Sequence, residues 1–161
     1  MDFRELPQGL QVAGQKYLRQ LRALGLHPEA LFWAYAAGES EYQLWMLWSG
    51  VERFGPLQLT EHLFRAFRAA ALPQEINPFS VHIASPQSFM GKLFHLSMSH
   101  VITQPNSVEK YWRSVTDGPE GEIEYKGSRD WIYVYEGKTR KRSDVARDWK
   151  RFSQRVSKLA A

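Results

Sequence analysis

Nine cations crowd the last 24 residues: Lys138, Arg140, Lys141, Arg142, Arg147, Lys150, Arg151, Arg155 and Lys158, against the carboxylates Asp144 and Asp148 alone. That segment carries +7, so the other 137 residues carry −3 of the net +4. Guanidinium and ammonium groups at this density suit a polyanion, because each phosphate they contact releases condensed counterions. The nine are therefore the candidate nucleic-acid-binding residues, with nucleic acid or an acidic protein as the expected partner. Among them run Val145, Trp149, Phe152, Val156 and Leu159, spaced by four, three, four and three. This helical stripe makes Trp149, Phe152 and Val156 candidate interface residues, toward the chain's own domain or toward another chain.

Other reactive groups are thinner on the ground. Glu120, Glu122 and Glu124 alternate, with Asp117 before them and Lys126 after. Strand periodicity puts Glu122 and Glu124 on one face, where carboxylates hold Mg²⁺ in many phosphoryl-transfer sites. The arrangement Asp117…Glu124-Tyr125-Lys126 resembles the Asp…Glu-x-Lys signature of a large nuclease superfamily. It departs from that signature in two ways. Lys126 falls at an expected turn, and Asp117 sits in a Gly/Pro-rich stretch rather than a strand. His95, Ser97, Ser99 and His100 share one expected helix, with His95 and Ser99 a turn apart, yet no oriented base or oxyanion site accompanies them. Trp131, Tyr133 and Tyr135 are expected to share an exposed face on which bases could stack.

Cysteine is absent, which removes disulfides, thiolate metal sites and a thiol nucleophile. No Gly-rich phosphate loop and no His-Glu-x-x-His spacing occurs. We expect no catalytic residue, no metal ligand set and no cofactor. A metal-dependent nuclease is the third of three functional expectations.

The elements that must position these groups follow from pattern. A chain of 161 residues, 43% hydrophobic and 24% charged, suits one soluble domain. Leu10, Ala13, Tyr17, Leu18, Leu21 and Leu24 predict a helix over 9–24, ended by Gly25. The aromatic runs Ala30–Ala37 and Tyr42–Ser49 flank a turn and predict a hairpin covered on both faces, although a helix over Glu29–Ala37 also fits. Gly55-Pro56 opens a helix that Pro73 stops. Phe79–Ala84 reads as a strand. Ser85 then caps a helix that buries Phe89, Leu93, Leu96 and His100. Gln104–Ser107 is a loop, Val108–Val115 a short helix, and Glu122–Tyr125 with Trp131–Tyr135 a second hairpin. Ser143 caps the last helix.

The expected product is a single α+β domain, a mostly antiparallel sheet of about five strands with packed helices. Residues 1–137 form its body, and 138–161 form a basic turn and C-terminal helix docked on it. The N-terminus lacks a signal-peptide core. The longest apolar runs fall short of the ~20 residues a bilayer span needs. The expectation is a cytoplasmic protein without integral membrane association.

Phe32-Trp33-Ala34-Tyr35, Tyr42-Gln43-Leu44-Trp45, Gly55-Pro56 and Val81-His82-Ile83-Ala84-Ser85-Pro86 together resemble an uncharacterised group of small bacterial α+β proteins, over roughly residues 30–100. The resemblance implies a bacterial setting and no activity, and it leaves out the basic helix. The functional expectation from the sequence is a non-enzymatic module that engages nucleic acid or a nucleoprotein through its basic C-terminus. A subunit or adaptor that uses the aromatic sheet and the last helix as an oligomer or complex interface is the alternative.

Overall fold

A computed structural model describes residues 4–103 and 109–159. The expected loop at 104–107 lies outside them. Helix α1 (Gln8–Leu24) buries Ala13, Tyr17, Leu18 and Leu21. It ends at Gly25, whose φ of 105° lets its own N–H reach the Arg22 carbonyl and the Leu26 N–H reach the Leu21 carbonyl, each at 3.0 Å. A left-handed residue at this point favours glycine. A side chain here would also press on Arg151 Cβ at 3.0 Å.

Strands β1 (Ala30–Ala36) and β2 (Tyr42–Leu47) form the expected antiparallel hairpin, in register from Ala30↔Leu47 to Tyr35↔Tyr42. Every residue of β1 is buried. Leu31, Trp33, Tyr35, Leu44 and Met46 join a core with α1 and two further helices on one face of the sheet, while Ala30, Phe32, Ala34, Trp45 and Leu47 face a different helix on the other. Two covered faces explain why both runs lack alternation.

The chain next forms a single turn, α2 (Val51–Phe54), and then α3 (Pro56–Arg68), which buries Leu59, Leu63 and Ala66. This crossover returns the chain to its starting end. Strand β3 (Val81–Ala84) therefore runs parallel to β2, with Leu44↔Val81 through Leu47↔Ala84. The sheet is mixed, not uniformly antiparallel.

Helix α4 (Phe89–Thr103) covers the opposite face through Phe94, Met98 and Val101. Phe89 and Leu96, expected inside, are exposed, as is His100, and Leu93 is half-buried. The helix is apolar on two sides, and close packing chooses between them. Phe94 meets the rings of Phe32, Trp45, Trp112 and Tyr125, while Gly91 lies so close to the Ser85 carbonyl that a methyl group would collide with it. Ser88, not Ser85, caps the helix: its hydroxyl accepts the Gly91 N–H at 3.1 Å.

Strands β4 (Tyr111–Gly118) and β5 (Gly121–Ser128) form a hairpin across Pro119-Glu120, where a short helix and half of another hairpin were expected. Ser128 starts a 3-10 turn by accepting the Asp130 N–H. This turn breaks the chain before β6 (Ile132–Tyr135), so β5 and β6 do not pair with each other. Both line one edge of β1, β6 along Ala30–Phe32 and β5 at Tyr35 and Ala36. The six strands are ordered β3-β2-β1-β5-β4, with β6 beside β1.

The last helix, α5 (Arg142–Leu159), lies over α1 and α3. Trp149 packs among Trp48, Phe54 and His62, with ring centroids at 5.3, 5.1 and 4.8 Å. Among the described residues no helix is long and apolar enough to cross a membrane.

Candidate nucleic-acid interface

Helical geometry sorts the tail. Val145, Trp149, Phe152 and Val156 point inward and are buried, the last two completely. The candidate interface residues Trp149, Phe152 and Val156 thus belong to the chain's own core, because α1 and α3 supply the partner that the stripe needs. The outward side carries Arg147, Arg151, Arg155 and Lys158 at spacings of four, four and three, which lines them along one face. Arg155 Nη1 donates to the Ala23 carbonyl at 2.6 Å, at the C-terminal end of α1, where a cation is favoured by the helix dipole. Lys138, Lys141, Arg142, Lys150, Arg151 and Lys158 are exposed, and among the described residues none has a carboxylate within ion-pair distance.

The turn before α5 is anchored. Asp148 is buried and accepts from Arg140 Nη2 at 2.7 Å. Arg147 approaches Asp148 at 3.9 Å and Asp144 at 3.3 Å. Both acids of the tail are thereby engaged within it. His27, beside this cluster, is held below the usual histidine range by burial, with Asp148 pulling the other way.

The anchored turn forms one wall of a cleft of about 620 Å³ lined by Ser49, Glu52, Arg53, Gln87, Arg140 and Arg142 among others. Arg53 of α2, Arg140 of the turn and Arg142 of α5 line it together with one carboxylate, Glu52, which accepts from the Ser85 hydroxyl at 2.9 Å. Planar guanidinium forks bind phosphate through paired donors. A smaller chamber of about 210 Å³ shares Gln87 and Thr139 with this cleft and adds Lys92, Lys138, His95 and Tyr135. On its wall Glu29, 1% exposed, accepts the Ser49 N–H at 2.9 Å through Oε2. Its Oε1 has no partner among the described residues. Burial pushes this carboxyl up to about 7, against the opposing pull of the Ser49 hydrogen bonds. Glu29, Arg53 and Lys92 carry no mark in the sequence; only the topology brings them beside the turn.

The remaining candidates disperse. Glu122 and Glu124 do share a face with Asp117 and Lys126, in the register Asp117↔Glu122 and Val115↔Glu124. Glu124 is held by Arg113 at 3.7 Å and Lys126 at 3.9 Å. Among the described residues no group of three His, Asp or Glu side chains is placed to hold a metal ion. His95 Nδ1 hydrogen-bonds with the Tyr135 hydroxyl, and Ser99 donates to the Leu96 carbonyl, so the pair His95–Ser99 does not form. Ser97 instead meets Ser114 at 2.6 Å.

Trp131 is buried, Tyr133 donates its hydroxyl to the Gln11 carbonyl, and Tyr135 turns to the other face of the sheet. The expected stacking face is not assembled. All six tryptophans are buried; among the described residues the exposed phenylalanines are Phe79 and Phe89. Comparison with known protein families, with curated proteins and with solved structures finds no match for this chain.

Proposed function

We propose that the protein binds the phosphate backbone of nucleic acid through the turn at 138–142 and the outer face of α5, with the arginine cleft receiving one phosphate. The observation that carries this reading is that Arg53 and Arg142 line one cleft with Arg140, which Asp148 holds in place, beside the row Arg147, Arg151, Arg155 and Lys158. The cations stand on a helix fixed by Trp149 and Phe152, so little ordering is needed when a rigid anion arrives. Phosphate contacts of this kind position a nucleic acid without reading its sequence.

Fluorescence anisotropy with a labelled duplex and a labelled single strand tests the reading. Binding is expected at about 50 mM salt and is expected to fall by orders of magnitude toward about 200 mM. The double variant Arg53→Gln, Arg142→Gln is expected to weaken it. Absence of binding at the lower salt, or preference for polyglutamate over both nucleic acids, overturns the proposal.

A further inference from the structure

Strand β4 ends the sheet, and among the described residues nothing pairs with its outer edge. It is eight residues long, in unbroken register with β5, and holds no proline or bulge. Proteins usually blunt such an edge, because its free backbone groups template another strand.

The side chains of this edge are self-complementary. Trp112 and Ser114 turn inward, while Arg113, Val115 and Asp117 are exposed. Asp117 stands directly opposite Glu122, and among the described residues neither has a cation within ion-pair distance. Like charges in directly opposed positions are unfavourable. Arg113, 62% exposed, pairs with Glu124 alone among the described residues, at 3.7 Å. Beside Val115 lies Phe89 of α4, 69% exposed, and one helical face on from it Leu96, 72% exposed.

We infer that two copies of this chain join β4 to β4, antiparallel, about a two-fold axis through Val115. In this register Arg113 of each copy faces Asp117 of the other, and the two Val115 side chains meet. The second copy thus supplies the cation that Asp117 lacks. A shift of the axis to Arg113 or Asp117 would oppose like charges, and a shift to Ser114 or Thr116 would leave Asp117 without a facing cation. A one-residue slip would set the inward face of one copy against the outward face of the other. The Val115 register keeps both α4 helices on the same side of a continuous sheet, with Phe89 beside the seam. This closed, isologous pairing removes both β4 edges and does not by itself propagate into fibres.

Light scattering over a concentration series, on the full chain, is expected to show a dimer. Asp117→Arg alone is expected to raise the dissociation constant at least about tenfold, and Arg113→Asp added to it is expected to restore pairing. Circular dichroism checks that each variant folds. Because the chain has no cysteine, Val115→Cys offers a second readout. Opposed Cβ atoms in such a pair lie about 4.5–5.5 Å apart, so a short thiol-reactive bismaleimide is expected to give a covalent dimer. Leu57→Cys, at a 70% exposed site on α3, is expected not to. A monomer at all concentrations, or a dimer indifferent to Asp117→Arg and uncoupled at Val115→Cys, overturns the inference.

Discussion

The basic tail and the β4–β5 hairpin both carry charge at regular spacing, and their fates differ. On α5 the two acids are engaged by Arg140 and Arg147, and six cations of the tail are left to solvent. On the hairpin Glu124 is engaged by Arg113 and Lys126, while Asp117 and Glu122 confront each other. Periodicity says which charges share a face. Which of them are already neutralised depends on segments far away in the chain. The tail sits on the core through a buried tryptophan, whereas the hairpin projects as the sheet's last two strands. The first leaves cations exposed on a fixed helix; the second leaves two carboxylates opposed at the edge of the sheet.

The comparison breaks most readily at Trp149. Trp149→Ala is expected to cost about 3–5 kcal/mol of stability, because it opens a cavity among Trp48, Phe54 and His62. Urea unfolding measures it. A loss below about 1 kcal/mol would mean that α5 is not fixed by this contact.

The next effect tests the chamber beside the turn. Glu29 is held up to about 7 in the folded protein by burial, above the ordinary carboxyl value of the unfolded chain. The stability tied to its protonated form is full below pH ~4.5 and is lost as pH rises through ~7. Glu29→Gln should therefore match the parent near pH 4.5 and exceed it by on the order of 3 kcal/mol near pH 8. A difference between the two that does not change with pH would remove the burial argument.

A smaller change is expected at Asp148, whose carboxylate anchors Arg140 at 2.7 Å. Asp148→Asn is expected to cost about 2 kcal/mol and to loosen the turn that walls the arginine cleft. Denaturation with and without a short duplex separates the two effects. If the duplex stabilises both proteins equally, the anchored turn is not part of the binding face.

Much of the fold was legible because its causes are local. Gly25, Pro56 and the stripe Val145, Trp149, Phe152 and Val156 each act within a few residues. The parallel β3 was not legible, since its direction is set by the whole α2–α3 crossover. Strand β4 overlaps the short helix expected over 108–115; its inward-facing Ser114 is polar and hides the strand alternation, which only Ser97 of α4 explains. The inward face of α4 was misread because Phe89 and Leu96 are as apolar as Phe94 and Met98, and only Gly91 against Ser85 decides. Of the candidate site, the tail's cations stood in plain view. Arg53, Lys92 and Glu29 did not, because only the tertiary fold brings Arg53 to the cleft and Lys92 and Glu29 to the chamber beside it.

The central claim is that the cations of α5 and the turn, not the net charge of the molecule, engage a polyanion. It is tested most directly by the slope of log affinity for a short duplex against log salt, measured in three proteins. One is the parent. The second carries Lys141→Gln, Arg142→Gln, Arg151→Gln and Lys158→Gln, and the third carries Glu120→Gln and Glu122→Gln on the hairpin. The tail variant is expected to flatten the slope by up to about 3.6, and the hairpin variant is expected to keep the parent's slope. Equal slopes in the parent and the tail variant would contradict the account.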